Sequence, residues 1–331
     1  MTVRIGINGF GRIGRSYLRA ALQSGADVEV VAINDIADAA TFASLLEWDS
    51  LAGHLDGVQV DDDAIVVDGA RIRVTAEREP ANIPWGEERV DVVIESTGRF
   101  ADSASARAHL AAGARKVIIS APASGDVPAV VLGVNDEAID MAQDVFSNGS
   151  CTTNCLAPMV KVLHEAFGIE SGLMTTIHAY TSDQRLHDAP HGDLRRARAA
   201  GLSTIPTSSG AASTIGRIIP ELDGRLTGLA LRVPVPVGSI TDLTVKLTRP
   251  ASVEEVNSAF HTAAATPGLS PYLAYSEAPI VSADIVGNPH SAIFDAPLTQ
   301  VVGDQVKIFA WYDNEWGFSN RLVELSERIS G

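Results

Sequence analysis

The two cysteines of the chain lie four residues apart, in the stretch NGSCTTNC at residues 148–155. Cys151 follows the short apolar run DVFS and a turn, and it begins a predicted helix. The N-terminus of a helix favours a thiolate, typically by about 0.3–1 kcal/mol. We therefore expect Cys151 to be a nucleophile. Two cysteines on one helix face cannot form a disulfide without backbone movement. Cys155, one helical turn later, is therefore not expected to bond to Cys151, and we expect it to be buried and inert.

A nucleophilic cysteine requires a base, and His178 is the candidate. It ends the apolar run GLMTTI, one predicted helix and one predicted strand after Cys151. Ser150 and Thr152 flank the cysteine with hydroxyl groups that suit a bound phosphate or acyl oxygen. From these residues alone, a buried structural thiol and an unrelated histidine remain an alternative.

A glycine pattern near the start of the chain predicts a nucleotide site. Gly9, Gly11 and Gly14 form G-x-G-x-x-G between an apolar strand and a helix, and Asp35 ends the next strand, 35 − 14 = 21 residues after the third glycine. Such glycines permit a tight turn, close approach of a pyrophosphate and close helix–strand packing. An aspartate at this position accepts hydrogen bonds from a ribose 2′-hydroxyl and repels a 2′-phosphate. The pattern favours NAD over NADP.

The order of apolar runs predicts an α/β protein with two domains. Strands and helices alternate in the first half, which indicates a doubly wound (Rossmann) NAD-binding domain over residues 1–150. Longer strands follow residue 151 and predict an α+β catalytic domain over 151–315, with a mostly antiparallel sheet. The C-terminal helix, 316–331, is expected to complete the first domain.

The composition and net charge indicate which kinds of partner the protein can have. The 331 residues carry 46% hydrophobic and 20% charged side chains, which is typical of a globular enzyme, and a net charge of −16 disfavours nucleic acid. The longest apolar runs are too short to span a membrane, and MTVRIGING has the pattern of a strand rather than of a signal peptide, so we expect neither a membrane span nor a signal peptide. We predict a cytoplasmic protein. His187 and His191 lie four apart, but Pro190 separates them and no third ligand is evident, so we expect no metal site.

Six motifs extend the interpretation to the whole chain: NGFGRIGR, SCTTNC, TIHAYT, DLRRARAA, LRVPVP and WYDNEWG. Their order and spacing resemble those of the phosphorylating, NAD-dependent glyceraldehyde-3-phosphate dehydrogenases. The resemblance implies oxidation of glyceraldehyde 3-phosphate with inorganic phosphate to 1,3-bisphosphoglycerate, with reduction of NAD, in glycolysis or gluconeogenesis. It implies Cys151 as the nucleophile, through a thiohemiacetal and a thioester, and His178 as the base.

The same resemblance implies binding residues and an assembly. The substrate phosphate would bind Thr181, Asp183 and Arg232, and the attacking phosphate would bind Ser150, Thr152, Ser209 and Gly210, with Arg196 nearby. Arg12 and Ile13 would contact the pyrophosphate of NAD, Asp35 its adenosine ribose, Arg78 and Ser120 the dinucleotide, and Asn314 the nicotinamide carboxamide. The polar loop over residues 180–203 would join subunits in a homotetramer.

Departures from the family pattern leave further hypotheses open. The chain has Gly149 where the family usually has alanine, and Ser209 where it usually has threonine. Both flank the predicted nucleophile or anion site, so a copy specialised to tolerate an epoxide-like or alkylating inhibitor is one hypothesis, and neutral drift at these positions is its alternative. An erythrose-4-phosphate dehydrogenase is an alternative enzyme. A non-enzymatic regulatory paralogue is an alternative of another class, although Cys151 and His178 are both present.

Overall fold

The computed structural model describes residues 2–330, which form two compact units. The first combines residues 2–130, 137–149 and 319–330, and the second combines 131–136 and 150–318. It stays a prediction that residues 1–150 with 316–331 bind the cofactor and that residues 151–315 carry out catalysis.

The first unit is built on one large sheet with helices. Its strands are β1 Val3–Asn8, β2 Val28–Asn34, β3 Trp48–Asp49, β4 Gly53–His54, β5 Val58–Asp61, β6 Ala64–Val67, β7 Ala70–Thr75, β8 Val92–Glu95, β9 Lys116–Ile119 and β10 Val145–Ser147. Its helices are α1 Arg12–Ser24, α2 Ala39–Glu47 and α3 Ser103–Ala111. The sheet has the strand order β10-β9-β8-β1-β2-β7-β6-β5 within the described residues, and β3 pairs with β4 separately.

The first sheet is parallel from β10 to β7. The predicted α/β doubly wound fold is therefore confirmed. The run AIVVDGARIRV at residues 64–74 predicts a hairpin, which β6 and β7 form, and β5 adds an antiparallel edge strand. Asp68 and Gly69 form the two-residue turn between β6 and β7. Their φ values of 49° and 83° are the left-handed conformation that such turns require.

The run DAATFASLLEWDS at residues 38–50 predicts a helix over its whole length, but helix α2 is shorter. The apolar spacing extends to residue 50, but the helix ends at Glu47, and Trp48–Asp49 instead pairs with Gly53–His54. The Asp49 carboxylate accepts the N–H groups of Leu51 and Ala52 at 2.8 and 2.9 Å, which stabilises the turn.

The second unit contains the other large sheet. Its strands are β11 Ile169–Ala179, β12 Ile205–Ser208, β13 Leu226–Val233, β14 Ser239–Leu247, β15 Leu273–Ser276, β16 Ala292–Asp295, β17 Gln300–Val302 and β18 Gln305–Tyr312, and its helices are α4 Cys151–Phe167, α5 Ala211–Ile218 and α6 Val253–Ala264. The main strand order is β12-β13-β11-β14-β18-β16-β15. The sheet is mostly antiparallel, as predicted, but β11–β13 and β15–β16 are parallel pairs.

The C-terminal helix, α7 Trp316–Ser330, contributes residues 319–330 to the first unit. There the Tyr17 hydroxyl of α1 donates to the Ser326 Oγ at 3.0 Å, and both side chains are fully buried. Among residues 2–330, every helix falls short of the length and apolar character needed to cross a bilayer.

Candidate active site

Cys151 is the first residue of α4, as the sequence predicts. Ser150 caps the helix by accepting the Thr153 N–H at 3.1 Å. The Cys151 Sγ lies 3.4 Å from the Nε2 of His178. Burial raises the pKa of this thiol above its ordinary value, against the positive charge of Arg232 and hydrogen bonds from Thr152. The thiol therefore needs a base to become a thiolate near neutral pH.

His178 lies near the end of β11, and Arg232 is its register partner on β13. The His178 Nδ1 is 2.7 Å from the Ala179 carbonyl oxygen, and the Arg232 Nη1 is 3.1 Å from the same oxygen. The Arg232 Nη1 also lies 2.7 Å from the His178 Nδ1. A guanidinium can only donate, so this contact favours a proton on Nε2, whereas the contact with the carbonyl favours a proton on Nδ1. Only the Nδ1–H tautomer presents an Nε2 lone pair to Sγ, as a base requires. Burial and the Arg232 charge lower the pKa of His178 to about 3, against the hydrogen bond to Ala179. The neutral imidazole can accept the thiol proton.

Arg232 has an unused donor. Its Nε is buried and has no hydrogen-bond partner within residues 2–330. A buried donor without an acceptor costs about 1–3 kcal/mol, which a bound anion would offset. The position of this guanidinium beside the thiol–imidazole pair suits a phosphorylated substrate.

Three further residues predicted to bind phosphate lie in the loop after β11. The Arg196 Nη1 donates to the Asp183 carboxylate, and its Nε donates to Asp193 at 3.1 Å. The Thr181 N–H donates to the Gln184 side chain at 3.3 Å. Since a carboxylate only accepts hydrogen bonds, the geometry of Asp183 suits it to orienting Arg196. The phosphate-binding roles stay predictions.

Ser209 and Gly210 lie at the N-terminus of α5. Gly210 is the N-cap residue and is exposed, and a Cβ atom added to it would meet no atom within 4 Å. The Ser209 Oγ accepts the Ala211 N–H at 3.3 Å. The open first turn supplies backbone N–H groups of the kind that bind anions.

The glycine pattern has the geometry of a cofactor turn. Gly9 has φ +94°, and a Cβ there would lie 2.7 Å from the Thr97 nitrogen. A Cβ on Gly14 would lie 2.3 Å from the Gly9 carbonyl oxygen, so α1 can pack this closely on β1 only without a side chain. A Cβ on Gly11 would meet no atom within 4 Å. That open backbone at a helix N-terminus fits the pyrophosphate of NAD.

The remaining predicted cofactor residues belong to the same unit, except Asn314. Asp35 follows β2, and its carboxylate accepts the Phe10 N–H at 2.7 Å. This bond connects Asp35, the predicted ligand of the adenosine ribose, to the glycine turn. Arg12 donates to Asp49; burial opposes the ionisation of Asp49, but this bond and two backbone N–H groups lower its pKa to about 2. Ile13 is half-buried on α1, Arg78 is exposed in the loop after β7, and the Ser120 Oγ donates to the Glu95 carbonyl at 3.0 Å after β9.

Comparison with known proteins decides between the readings of this geometry. The family model described as "Glyceraldehyde 3-phosphate dehydrogenase, NAD binding domain" matches residues 3–103, and the one described as "Glyceraldehyde 3-phosphate dehydrogenase, C-terminal domain" matches residues 150–314. The chain belongs to the glyceraldehyde-3-phosphate dehydrogenase family. The resemblance stated from its motifs is confirmed.

Relatives of this family match the chain over nearly its whole length. Glyceraldehyde-3-phosphate dehydrogenase 1 of Streptomyces avermitilis is 60% identical over 328 residues and covers 98% of both chains. The enzyme of Mycobacterium tuberculosis is 60% identical over 332 residues, again covering 98% of both. Glyceraldehyde-3-phosphate dehydrogenase 2 of Streptomyces arenae is 58% identical over 333 residues and covers 99% of both. The chain is an NAD-dependent oxidoreductase, and the predicted cofactor is confirmed.

Tyr312, which the sequence patterns do not single out, lies beside His178 and Thr152 in this member of the glyceraldehyde-3-phosphate dehydrogenase family. The Tyr312 hydroxyl lies 2.9 Å from the Thr152 Oγ1 and 2.7 Å from the Thr176 Oγ1, and its ring packs edge-on to His178 at 5.9 Å. Burial raises the pKa of Tyr312 far above its ordinary value. Thr152 is thus turned into the core, so its contact with a phosphate would use its backbone N–H. The alternation of apolar and polar residues along β18 indicates that Tyr312 is buried, but it does not reveal which residues its hydroxyl bonds.

A second missed residue, Ser239, connects Asn314 to the strand that carries the base. The Asn314 Oδ1 accepts from the Gly238 N–H and the Ser239 Oγ, both at 3.1 Å. The Ser239 Oγ in turn accepts the Ala179 N–H at 3.0 Å. Because its oxygen is held in this way, the Asn314 amide has a defined orientation, which suits the predicted contact with the nicotinamide of NAD.

Proposed function

We propose that the chain oxidises glyceraldehyde 3-phosphate to 1,3-bisphosphoglycerate, with NAD as hydride acceptor and inorganic phosphate as co-substrate. The observation that carries the proposal is the 3.4 Å approach of the Cys151 Sγ to the His178 Nε2, with the buried, unpartnered Nε of Arg232 in the same cluster. A nucleophile, its base and an anion ligand together match an aldehyde that bears a phosphate.

The first half of the mechanism uses Cys151 and His178. The His178 Nε2 accepts the thiol proton, and Sγ adds to the aldehyde carbon to form a thiohemiacetal. The proton passes to the former aldehyde oxygen, and Nε2 removes it again as the carbon–hydrogen bond breaks. NAD supplies the hydride acceptor at C4 of its nicotinamide. The result is a thioester on Cys151.

The second half releases the product. An oxygen of inorganic phosphate attacks the thioester carbon, the carbon–sulfur bond breaks, and the acyl phosphate leaves while Sγ regains its electron pair. Ser209 and Gly210, at the open N-terminus of α5, are the proposed ligands of the attacking phosphate, with Ser150, Thr152 and Arg196. Thr181, Asp183 and Arg232 are the proposed substrate-phosphate residues. The Asp183 carboxylate accepts from Arg196 and so would link this set to the site of the attacking phosphate.

The proposal includes a homotetramer in the cytoplasm. Leu186, Leu194 and Leu202 are 80%, 82% and 83% exposed, and all three lie in the loop predicted to join subunits. Several large apolar side chains exposed on one loop favour an interface with further copies of the chain.

Steady-state assays test the proposed reaction. Protein, glyceraldehyde 3-phosphate, NAD and phosphate should form NADH, and arsenate should replace phosphate, because either anion can attack the thioester. A rate independent of both anions would contradict the proposal. A higher kcat/KM with erythrose 4-phosphate, and hydrolysis instead of phosphate transfer, would favour the erythrose-4-phosphate dehydrogenase alternative.

A further inference from the structure

A ladder of buried polar side chains crosses the first unit where its parallel strands end. Asn34 ends β2, Asn8 ends β1, Glu95 ends β8, and His109 faces Glu95 from α3; each is at most 3% exposed. The Asn34 Nδ2 donates to the Asn8 Oδ1 at 2.8 Å, and the Asn8 Nδ2 donates to the Glu95 Oε2 at 2.6 Å. The His109 Nε2 lies 3.0 Å from the same carboxylate oxygen. The ladder joins three adjacent strands and one helix.

Trp85 fixes the direction of the hydrogen bond between His109 and Glu95. The Trp85 Nε1, which can only donate, lies 3.0 Å from the His109 Nδ1. That nitrogen must therefore accept, so Nε2 carries the ring proton and donates to Glu95. The neutral Nε2–H tautomer of His109 follows from the tryptophan alone.

Glu95 also holds the backbone next to the glycine turn. Its Oε1 accepts the Thr97 N–H at 2.9 Å and the Thr97 hydroxyl. Thr97 lies against Gly9, since a Cβ on Gly9 would be 2.7 Å from the Thr97 nitrogen, and the Ser96 Oγ donates to the Gly9 carbonyl at 2.7 Å. Four donors thus converge on two oxygens, and an ionised carboxylate is the side chain that can accept all of them.

We propose that Glu95, held by His109 and Trp85, is a positioning residue for NAD binding. By anchoring Thr97 against Gly9, it sets the shape of the turn that receives the pyrophosphate. The inference rests on the assignment of the Gly9–Gly14 turn as the dinucleotide site. A glutamine at this position fits the volume but presents an amide N–H₂ to two donors, and neither His109 nor Asn8 can reverse without breaking its own neighbouring bond.

The test compares Glu95→Gln with Ser326→Ala, which removes the buried Tyr17 hydrogen bond in the same unit. Titration calorimetry with NAD gives the Kd, steady-state assays give KM for NAD and kcat, and melting gives Tm. We expect Glu95→Gln to raise Kd and KM for NAD about tenfold and to leave kcat within about threefold, because the chemistry residues lie elsewhere. Ser326→Ala should lower Tm without changing Kd.

A second pair of variants keeps the test decisive if Glu95→Gln does not fold. His109→Gln retains a donor to Glu95 and an acceptor for Trp85, so its Kd for NAD should stay within about threefold of the native value. His109→Leu removes both, and its Kd should rise by more. Nitrogen-15 spectra of the native imidazole should report the Nε2–H tautomer.

Three outcomes would overturn the inference: a native Kd in Glu95→Gln, equal Kd values in the two His109 variants, or a His109 ring protonated at Nδ1. If the native protein itself binds no NAD, the cofactor assignment fails instead, so the two failures are distinguishable.

Discussion

The reactive pair is poised as a neutral thiol beside a neutral imidazole. Burial raises the pKa of Cys151, and burial together with Arg232 lowers that of His178 to about 3. Proton transfer from Sγ to Nε2 creates two charges, which a phosphate at Arg232 would help to balance. The positive charge that suppresses protonation of His178 in this structure is thus the charge that a bound substrate would neutralise.

The lowered pKa of His178 predicts acid sensitivity of the native state. In the unfolded chain the imidazole titrates at its ordinary value of 6.5. Below that pH the unfolded state binds a proton that the folded state does not, so the free energy of unfolding falls by up to about 1.4 kcal/mol per pH unit as pH drops towards 3. Denaturant unfolding at pH 7 and pH 4.5 measures how far the free energy of unfolding falls between these two values. The fall should be about 2–3 kcal/mol smaller in His178→Asn than in the native protein. An equal loss in both proteins would contradict this pKa.

The inhibitor-tolerance hypothesis is tested at two residues. Gly149 has φ +63°, a conformation that costs an alanine about 1–2 kcal/mol. Gly149→Ala with Ser209→Thr should therefore shift the turn before Cys151 and speed its inactivation by a substrate-like epoxide, measured as a second-order rate constant. Cys151→Ser controls for labelling elsewhere. Unchanged inactivation in the double variant would mean that these positions confer no tolerance.

Helices and strands were predictable from the sequence where neighbouring residues determine them. The apolar run GLMTTI placed the strand that carries His178, and the turn before Cys151 placed the start of α4. The partners of Tyr312 were not predictable, because Thr152 lies 160 residues away on α4 and the two meet only where that helix packs on β18. The end of α2 was wrong because Asp49 captures backbone N–H groups that helical spacing does not reveal.

The contact between α4 and β18 gives a stability prediction. Tyr312→Phe leaves the hydroxyls of Thr152 and Thr176 without their buried partner, and should lower the free energy of unfolding by about 1–3 kcal/mol. Tyr275→Phe is the matched control. Its hydroxyl donates to the exposed Glu277 side chain, so its loss should lower the free energy of unfolding by less than about 0.5 kcal/mol. Denaturant unfolding measures both, and equal effects would show that the Tyr312 bridge adds no stability.

At the scale of the molecule, an acidic chain acts on anions. Against 41 acidic residues it has 25 lysines and arginines, and the net charge of −16 repels phosphates in general. Arg232 and Arg196 supply local positive charge at the proposed anion sites. We infer that recognition of the phosphorylated substrate depends on these side chains rather than on the field of the whole surface.

The proposed tetramer gives a prediction about mass in solution. The native protein should sediment as four chains of 34.8 kDa. Leu194→Asp with Leu202→Asp places charge in the loop proposed to join subunits and should shift the protein to smaller species, because desolvating those carboxylates is unfavourable. Met141→Asp, at an exposed position outside that loop, is the control. A fully active native monomer would contradict the proposed assembly.

In the proposed mechanism, Cys151 carries the acyl group between oxidation and phosphate transfer. Rapid mixing of the protein with glyceraldehyde 3-phosphate and NAD, without phosphate or arsenate, should give a burst of NADH equal to the number of active sites, and intact-mass spectrometry should find the acyl group on Cys151. Added phosphate should then release it and restore turnover. An equal burst from Cys151→Ser, or steady turnover in the absence of both anions, would contradict the account.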